Sequence, residues 1–462
     1  MSWLDKIIGS NAPSTGTVPA GAPTATPAPP RLPAKPEEPP LPPPRIVLDE
    51  ADPGDVSAGL LTRQVIIGRK FLPVGYAFAL QEAAGAPADA LLRDELLLGV
   101  VRRLGVERLC RFRTLWLPVS DYSLASPALQ ALPPASTVLM LSIAAAPSDA
   151  GAMDAARQLK GRGFKLCLAN WTGDPAQRAW LPLCDFVDVD TTAHTPIDAG
   201  EIPVSLLKAG SAAGVMASHI DSFEGFEFCH KANYFLFRGG FLTRRENWPR
   251  QARMAPDRVT VCNLLNQLRA GAELDAVAAP FRQSPELSYR FLRYINSVGF
   301  GLQIKVASVK QGMVYLGREK LYRWLTLLLF NPDQGRSTDG ALLEQALVRG
   351  HMMEMLGHGR FSKIEGDELF IVGIFSVLDL LLKLPMSIAL DPLKLPLAVH
   401  GALVNDEGIF APYLRLAIAC EENDTQGTAT TAQSLGFTVE QVNAAHVAAL
   451  GWAQDTLSPL GD

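Results

Sequence analysis

The sequence contains no Cys-x-x-Cys pair. Its six cysteines, Cys110, Cys167, Cys184, Cys229, Cys262 and Cys420, are widely scattered, so neither a disulfide framework nor a zinc ribbon is expected. An excess of positive charge is also missing. A net charge of −5 leaves no basic stripe of the kind that nucleic acid demands. Long apolar runs are missing too: the most apolar stretch, Leu369 to Leu384, is interrupted by Asp379 and Lys383 before it reaches bilayer length. The opening residues lack the pattern of a secretory signal, and a soluble, cytoplasmic protein is expected. What the chain does have is apolar material, 48% of 462 residues, enough to bury two or more sizeable cores.

Residues 1–10 read as a short amphipathic helix with Trp3, Leu4, Ile7 and Ile8 on one side. Such a helix is too short to be stable alone. It is either a frayed terminus or a weak docking peptide for a partner or a membrane surface. Residues 11–58 are rich in Pro and Ala, with thirteen prolines between Pro13 and Pro44, and read as a disordered linker whose Pro39–Pro44 end is a stiff spacer.

Between residues 59 and 245, β-rich runs alternate with helical ones. Strands are expected at Gln64–Ile67, Val74–Leu80, Leu115–Val119, Val138–Ile143, Lys165–Asn170, Phe186–Asp190, Gly214–Ser218 and Tyr234–Arg238, with helical patterns between many of them, as at Ala88–Leu104 and Asp149–Arg162. That alternation predicts a TIM-type α/β barrel. The first two strands have no helix between them and must pair as a hairpin.

Arg63-Gln64-Val65-Ile66 and Gly75-Tyr76-Ala77-Phe78-Ala79-Leu80-Gln81 resemble the opening strand and signature strand of the EAL domain. Lys165–Thr172, Phe186–Asp190, Ala217–Ser222 and Arg238-Gly239-Gly240-Phe241 fit later segments of the same family. The resemblance implies a modified TIM barrel, whose active members hydrolyse cyclic di-GMP with two metal ions. It also implies which positions carry the ligands, and here those are Ala77, Pro118, Met140, Ala169, Asn170 and Ser218, with Asp188 at the family's lysine and Gln81 at its arginine. Methyl, thioether and pyrrolidine groups do not hold Mg²⁺ or Mn²⁺. Gln64 and Arg238 remain as weak candidates for ligand binding. Asp188 and Asp190 alternate on one strand face and read as polar rim residues, and His219 and His230 as ordinary hydrogen-bonded histidines.

Residues 257–462 read as helices. Ser284 caps a helix with Pro285 at its first turn and Leu287, Phe291, Ile295 and Val298 on one face; Gly317 ends a second run, and Leu321, Trp324, Leu325 and Leu328 mark a third. Leu292-Arg293-Tyr294-Ile295-Asn296-Ser297, Ser308-Val309 and Leu316-Gly317 resemble the core of an HDOD domain, a helical relative of HD-type phosphohydrolases without their metal-binding pair. Asn296 and Ser297 are its structural signature. Asp367 to Asp379, DELFIVGIFSVLD, resembles a stretch of proteins joining EAL to HDOD, and should be a central helix. His351 and His358 lack an adjacent aspartate to rebuild a metal pair.

These resemblances imply an EAL-like barrel followed by an HDOD-type bundle. The expectation they lead to is a non-catalytic signalling scaffold and not an enzyme: no catalytic residue, no metal, no cofactor, and partners that are signalling proteins. Cyclic di-GMP binding is not expected. The alternatives are a cyclic di-GMP sensor without hydrolysis and a divergent phosphodiesterase with shifted ligands.

Overall fold

The structure is a computed structural model that describes residues 59–81, 89–106, 113–143, 150–245, 254, 256–296, 306–330, 339–421 and 427–457. The expectations for residues 1–58, including Trp3, Leu4, Ile7 and Ile8, and those for Ser297 and Val298 lie outside the described residues.

Strands β1 (Leu61–Gly68), β2 (Pro73–Leu80), β3 (Thr114–Ser120), β4 (Thr137–Ser142), β5 (Lys165–Leu168), β6 (Phe186–Asp190), β7 (Gly214–Ser218) and β8 (Leu236–Arg238) close into one barrel. β1 runs antiparallel to both neighbours, pairing Gln64 with Ala77 on β2 and Ile66 with Arg238 on β8, while β2 to β8 are mutually parallel. The expected hairpin is there. Helices α1 (Ala90–Arg103), α2 (Ala150–Gly161), α3 (Pro175–Trp180), α4 (Pro196–Lys208) and α5 (Phe223–Lys231) connect the strands. The lower barrel is filled by Ile66, Trp116, Val138, Met140, Cys167, Met216 and Leu236, with Ala77 in the same apolar cluster. A two-residue side-chain period sends these inward and their neighbours outward against the helices.

The helical half runs through α6 (Pro256–Arg269), α7 (Leu274–Gln283), α8 (Pro285–Ile295), α9 (Val309–Leu316), α10 (Arg318–Leu328), α11 (Asp339–Gly357), α12 (Lys363–Phe375), α13 (Leu378–Leu382), α14 (Met386–Leu390), α15 (Leu397–His400), α16 (Ala411–Ala419), α17 (Gly427–Ser434) and α18 (Val439–Leu457). Ser284 and Ser308 cap α8 and α9 through their hydroxyls. The indole of Trp324 stacks on Tyr294 and meets the edge of Phe291, which welds α8 to α10. α12 begins a turn earlier than Asp367, because Ser362 and Glu365 form a capping box. Its buried run Leu369–Phe375 crosses α11 at a pair of glycines. A Cβ on Gly373 would lie 2.4 Å from the Cα and nitrogen of Gly350, so the two backbones touch. α11 ends at Gly357, which leaves His358 off the face carrying His351; the His351 ring stacks on Trp452 and its Nδ1 lies 3.3 Å from Glu354.

The two halves share β1. Its outward side chain Arg63 is 3% exposed, and its backbone N–H donates to the carbonyl of Cys420 at 2.9 Å. The N–H of Leu61 donates to Asn443 Oδ1 at 2.8 Å. Glu421 lies 3.5 Å from Arg63 and 2.6 Å from Arg349, which also donates to Ser376 Oγ at 3.0 Å. Arg113 pairs with Glu344 at 3.0 Å and Arg245 with Asp379 at 2.6 Å. Among the described residues, Cys167, Cys184, Cys229, Cys262 and Cys420 are free and buried, and no helix is long and apolar enough to cross a membrane.

Candidate functional site

In a TIM-type barrel, chemistry collects at the carboxyl ends of the parallel strands, where the loops converge. In this chain that end holds Arg238 from β8, Gln64 from β1, Asp188 and Asp190 from β6, and His219 just after β7. Arg238 donates from Nη1 to Gln64 Oε1 at 3.1 Å and from Nη2 to Asp188 Oδ2 at 3.2 Å. Asp188 is 1% exposed, and its carboxylate is neutralised by that guanidinium. Arg238 Nε and Asp188 Oδ1 are both buried without a hydrogen-bond partner. Leaving such atoms unpaired is costly.

At the rim, Asp190 Oδ2 lies 3.3 Å from His219 Nδ1, and Asp190 Oδ1 accepts from the N–H and hydroxyl of Thr192 at 2.9 and 2.7 Å. Burial by itself would raise the Asp190 carboxyl, but the Thr192 hydrogen bonds outweigh it; with the charges of His219 and Arg238 they hold it below the usual carboxylate range. His219 and Asn170, at the ends of adjoining parts of this face, both sit at positive φ, 56° and 50°. Backbone of that kind is found preferentially at binding and catalytic sites. In the sequence Asp190 reads as a rim carboxylate and His219 as an ordinary hydrogen-bonded histidine; what brings them together is the register Asp190 to Ser218 between β6 and β7.

The positions that the resemblance assigns to metal ligands are accounted for differently. Ala77 and Met140 belong to the apolar barrel core, Ala169 is buried, and Ser218 spends its hydroxyl on the carbonyl of Val189 at 3.2 Å. Among the described residues no three His, Cys, Asp or Glu side chains converge on a point. This donor set does not fit a two-metal centre. His230, on α5, has its Nε2 3.3 Å from the carbonyl of Arg69. Asn296 donates from Nδ2 to the carbonyls of Leu292 and Val306 at 2.8 and 2.9 Å and accepts from the Val306 N–H at 2.7 Å, closing the polypeptide across the gap between α8 and α9.

Beside the mouth, a cleft of about 350 Å³ opens between the barrel and the helical half. Gln64, Arg63 and the Gly239–Arg244 segment line one side, and Gln345 and Glu421 the other.

No family model matches the chain. It is 27% identical over 304 residues, 65% of this chain and 70% of the other, to the cyclic di-GMP phosphodiesterase CdgJ of Vibrio cholerae. It is 21% identical over 416 residues, 86% of this chain and 98% of the other, to the uncharacterized protein YuxH of Bacillus subtilis. Among solved structures, the EAL domain protein of Listeria monocytogenes aligns with 41% of this chain and 88% of its own at 17% identity and a TM-score of 0.32. The barrel has eight strands, a leading antiparallel hairpin and antiparallel closure. The match to CdgJ corrects the expectation of a non-catalytic scaffold that is not an enzyme, because a relative aligned with about two thirds of the chain is named as a phosphodiesterase. The apolar residues at the ligand positions argue against one metal arrangement; they do not argue against catalysis by other groups.

Proposed function

We propose that the barrel acts on cyclic di-GMP as a divergent phosphodiesterase whose working groups are Arg238, Gln64, Asp190 and His219. The relative named for that activity supports the substrate, and the observation that carries the site is the buried Arg238 guanidinium with its unpaired Nε beside the Asp190–His219 pair. A phosphodiester oxygen is the acceptor that an arginine fork suits best. His219, oriented through Nδ1 by Asp190, is placed to take a proton from water at Nε2 as that water attacks phosphorus. The new bond is water oxygen to phosphorus, the bond that breaks joins phosphorus to the ribose 3′ oxygen, and the leaving oxygen is protonated by solvent. Arg238 stabilises the charge that develops on the phosphoryl oxygens. On the same reading residues 59–245 form the catalytic domain and residues 257–462 an HDOD-like bundle that meets a signalling partner. The alignment with YuxH, which reaches across both halves, supports treating them as one inherited unit.

The test is turnover of cyclic di-GMP by the purified full chain, followed by chromatography in EDTA and in Mg²⁺ or Mn²⁺. Turnover that survives EDTA and drops by two to four orders of magnitude in His219→Ala, as general-base removal does, is expected. No turnover in any condition, or turnover unchanged by His219→Ala and Arg238→Met, would overturn it.

A further inference from the structure

The segments that carry Arg238 and His219 are tied first to each other and then to the helical half. Past β7 and β8 the backbone is laced: the N–H of Ile220 donates to the carbonyl of Arg238 at 3.2 Å, and the N–H of Phe241 to the carbonyl of Ile220 at 3.0 Å. A Cβ on Gly239, at φ 149°, would stand 2.3 Å from the Ile220 carbonyl oxygen, so the two segments meet backbone to backbone. The Phe241 ring stacks on Phe226 of α5 with centroids 4.7 Å apart. Arg244 fastens the far end, donating from Nη1 to the carbonyl of Asp221 at 3.1 Å.

The next residue crosses to the helices. Arg245 donates from Nε to Asp379 Oδ2 on α13 at 2.6 Å and from Nη2 to the carbonyl of Ser376, at the end of α12, at 3.2 Å. The Asp379 side chain is 3% exposed and has no other ion pair among the described residues, and a buried carboxylate holds its one cation firmly. Ser376 also accepts from Arg349, which grips Glu421 and, through it, Arg63 on β1. Arg63 is the chain neighbour of Gln64, and Gln64 accepts from Arg238. One rail in the helical half, Glu421–Arg349–Ser376, therefore holds the segments at both ends of the Arg238–Gln64 hydrogen bond.

We propose that Arg245 is a positioning residue: its bonds to Asp379 and Ser376 are the link through which the helical half sets the placement of Arg238 and His219, so that a shift at the corner between α12 and α13 is transmitted to the site. This rests on the roles proposed above for Arg238 and His219.

The experiment is amide hydrogen exchange read by mass spectrometry, together with cyclic di-GMP turnover, both on the full chain. Arg245→Met cuts the link, Arg245→Lys keeps its charge, and Arg113→Met removes a second ion pair between the halves, next to the amino end of β3. Arg245→Met should speed exchange at Ile220 and Phe241 by about tenfold or more while β3 and β4 keep their protection. It should also lower kcat by about ten- to a hundredfold with KM changed less, the scale on which misplaced catalytic groups lose rate. Arg245→Lys should restore most of both, and Arg113→Met should change neither. Exchange at Ile220 and Phe241 that stays at the wild-type level in Arg245→Met, that rises equally in Arg113→Met, or that rises across the whole chain overturns the positioning role, as does an unchanged kcat in Arg245→Met. If wild type turns over no cyclic di-GMP, the proposed function falls, and exchange alone decides whether Arg245 holds the two segments.

Discussion

Removing the Glu421 carboxylate should be among the most damaging single changes available to this chain. Glu421 is 5% exposed at its side chain and Arg349 is 4% exposed. Arg349 reaches the carboxylate through Nη2 at 2.6 Å and through Nε at 3.0 and 3.1 Å, and Arg63 stands at 3.5 Å from the other side. Glu421→Ala therefore strands two buried guanidiniums at once. Breaking a buried ion pair by deleting one partner costs about 3–5 kcal/mol, and Arg63 has no second carboxylate in hydrogen-bonding contact to fall back on among the described ion pairs. Glu421→Gln, which keeps the shape and one acceptor oxygen, should cost less. The comparison is Asp154→Ala, whose partner Arg157 is 58% exposed and for which about 0–1 kcal/mol is expected. Urea unfolding followed by circular dichroism reads all three. A loss below about 1 kcal/mol for Glu421→Ala would mean that water reaches this carboxylate, and the account of the junction would be wrong.

Gly373→Ala should destabilise by at least the 1–3 kcal/mol typical of overpacking, since the new methyl meets backbone of α11 at 2.4 Å; an unchanged melting temperature would refute the crossing. Asn296→Leu leaves the N–H and carbonyl of Val306 without their side-chain partner, while the Leu292 carbonyl keeps the backbone N–H of residue 296, and should cost about 1–3 kcal/mol, read by denaturant unfolding. Two groups set opposite pH slopes. Burial, opposed by the charge of Arg63, raises Glu344 to about 7, even with Arg113 at 3.0 Å, so its contribution to stability is present below its ordinary value of 4.5 and is lost as pH rises to about 7. Burial, helped by Arg63, lowers His446 to about 3; its contribution is present above 6.5 and is lost as pH falls below that. Melting temperatures between pH 4.5 and 8 should thus lose part of their decline toward neutrality in Glu344→Gln, and His446→Leu should flatten the acid side; unchanged profiles in both variants would refute the assignments.

The fold was legible where local rules act alone. Alternation located all eight strands, and the missing helix between Leu61–Gly68 and Pro73–Leu80 forced the hairpin. The start of α12 was missed because Ser362 and Glu365 precede the apolar run by several residues, and hydrophobic spacing does not register a polar first turn. The site was legible only in part. Gln64 and Arg238 stand out in strands otherwise apolar, whereas the Asp190–His219 pair depends on strand register, and Arg63, Arg349 and Glu421 are lone charges in apolar segments whose partners lie 72 or more residues away. Charge in an apolar segment was the available signal; its meaning needed three dimensions.

The buried cysteines give the molecule a set of internal reporters. Burial pushes the Cys184 and Cys262 thiols up to about 12 and Cys229 to about 11, and raises Cys167 and Cys420 as well, so none of the five offers a thiolate to an alkylating reagent while its surroundings stay closed. They are also well distributed: Cys167 lies inside the barrel, the Cys420 carbonyl accepts from the Arg63 N–H at the junction, and Cys262 sits in the helical half. Pulsed alkylation followed by peptide mass mapping would time the opening of each region without any introduced label.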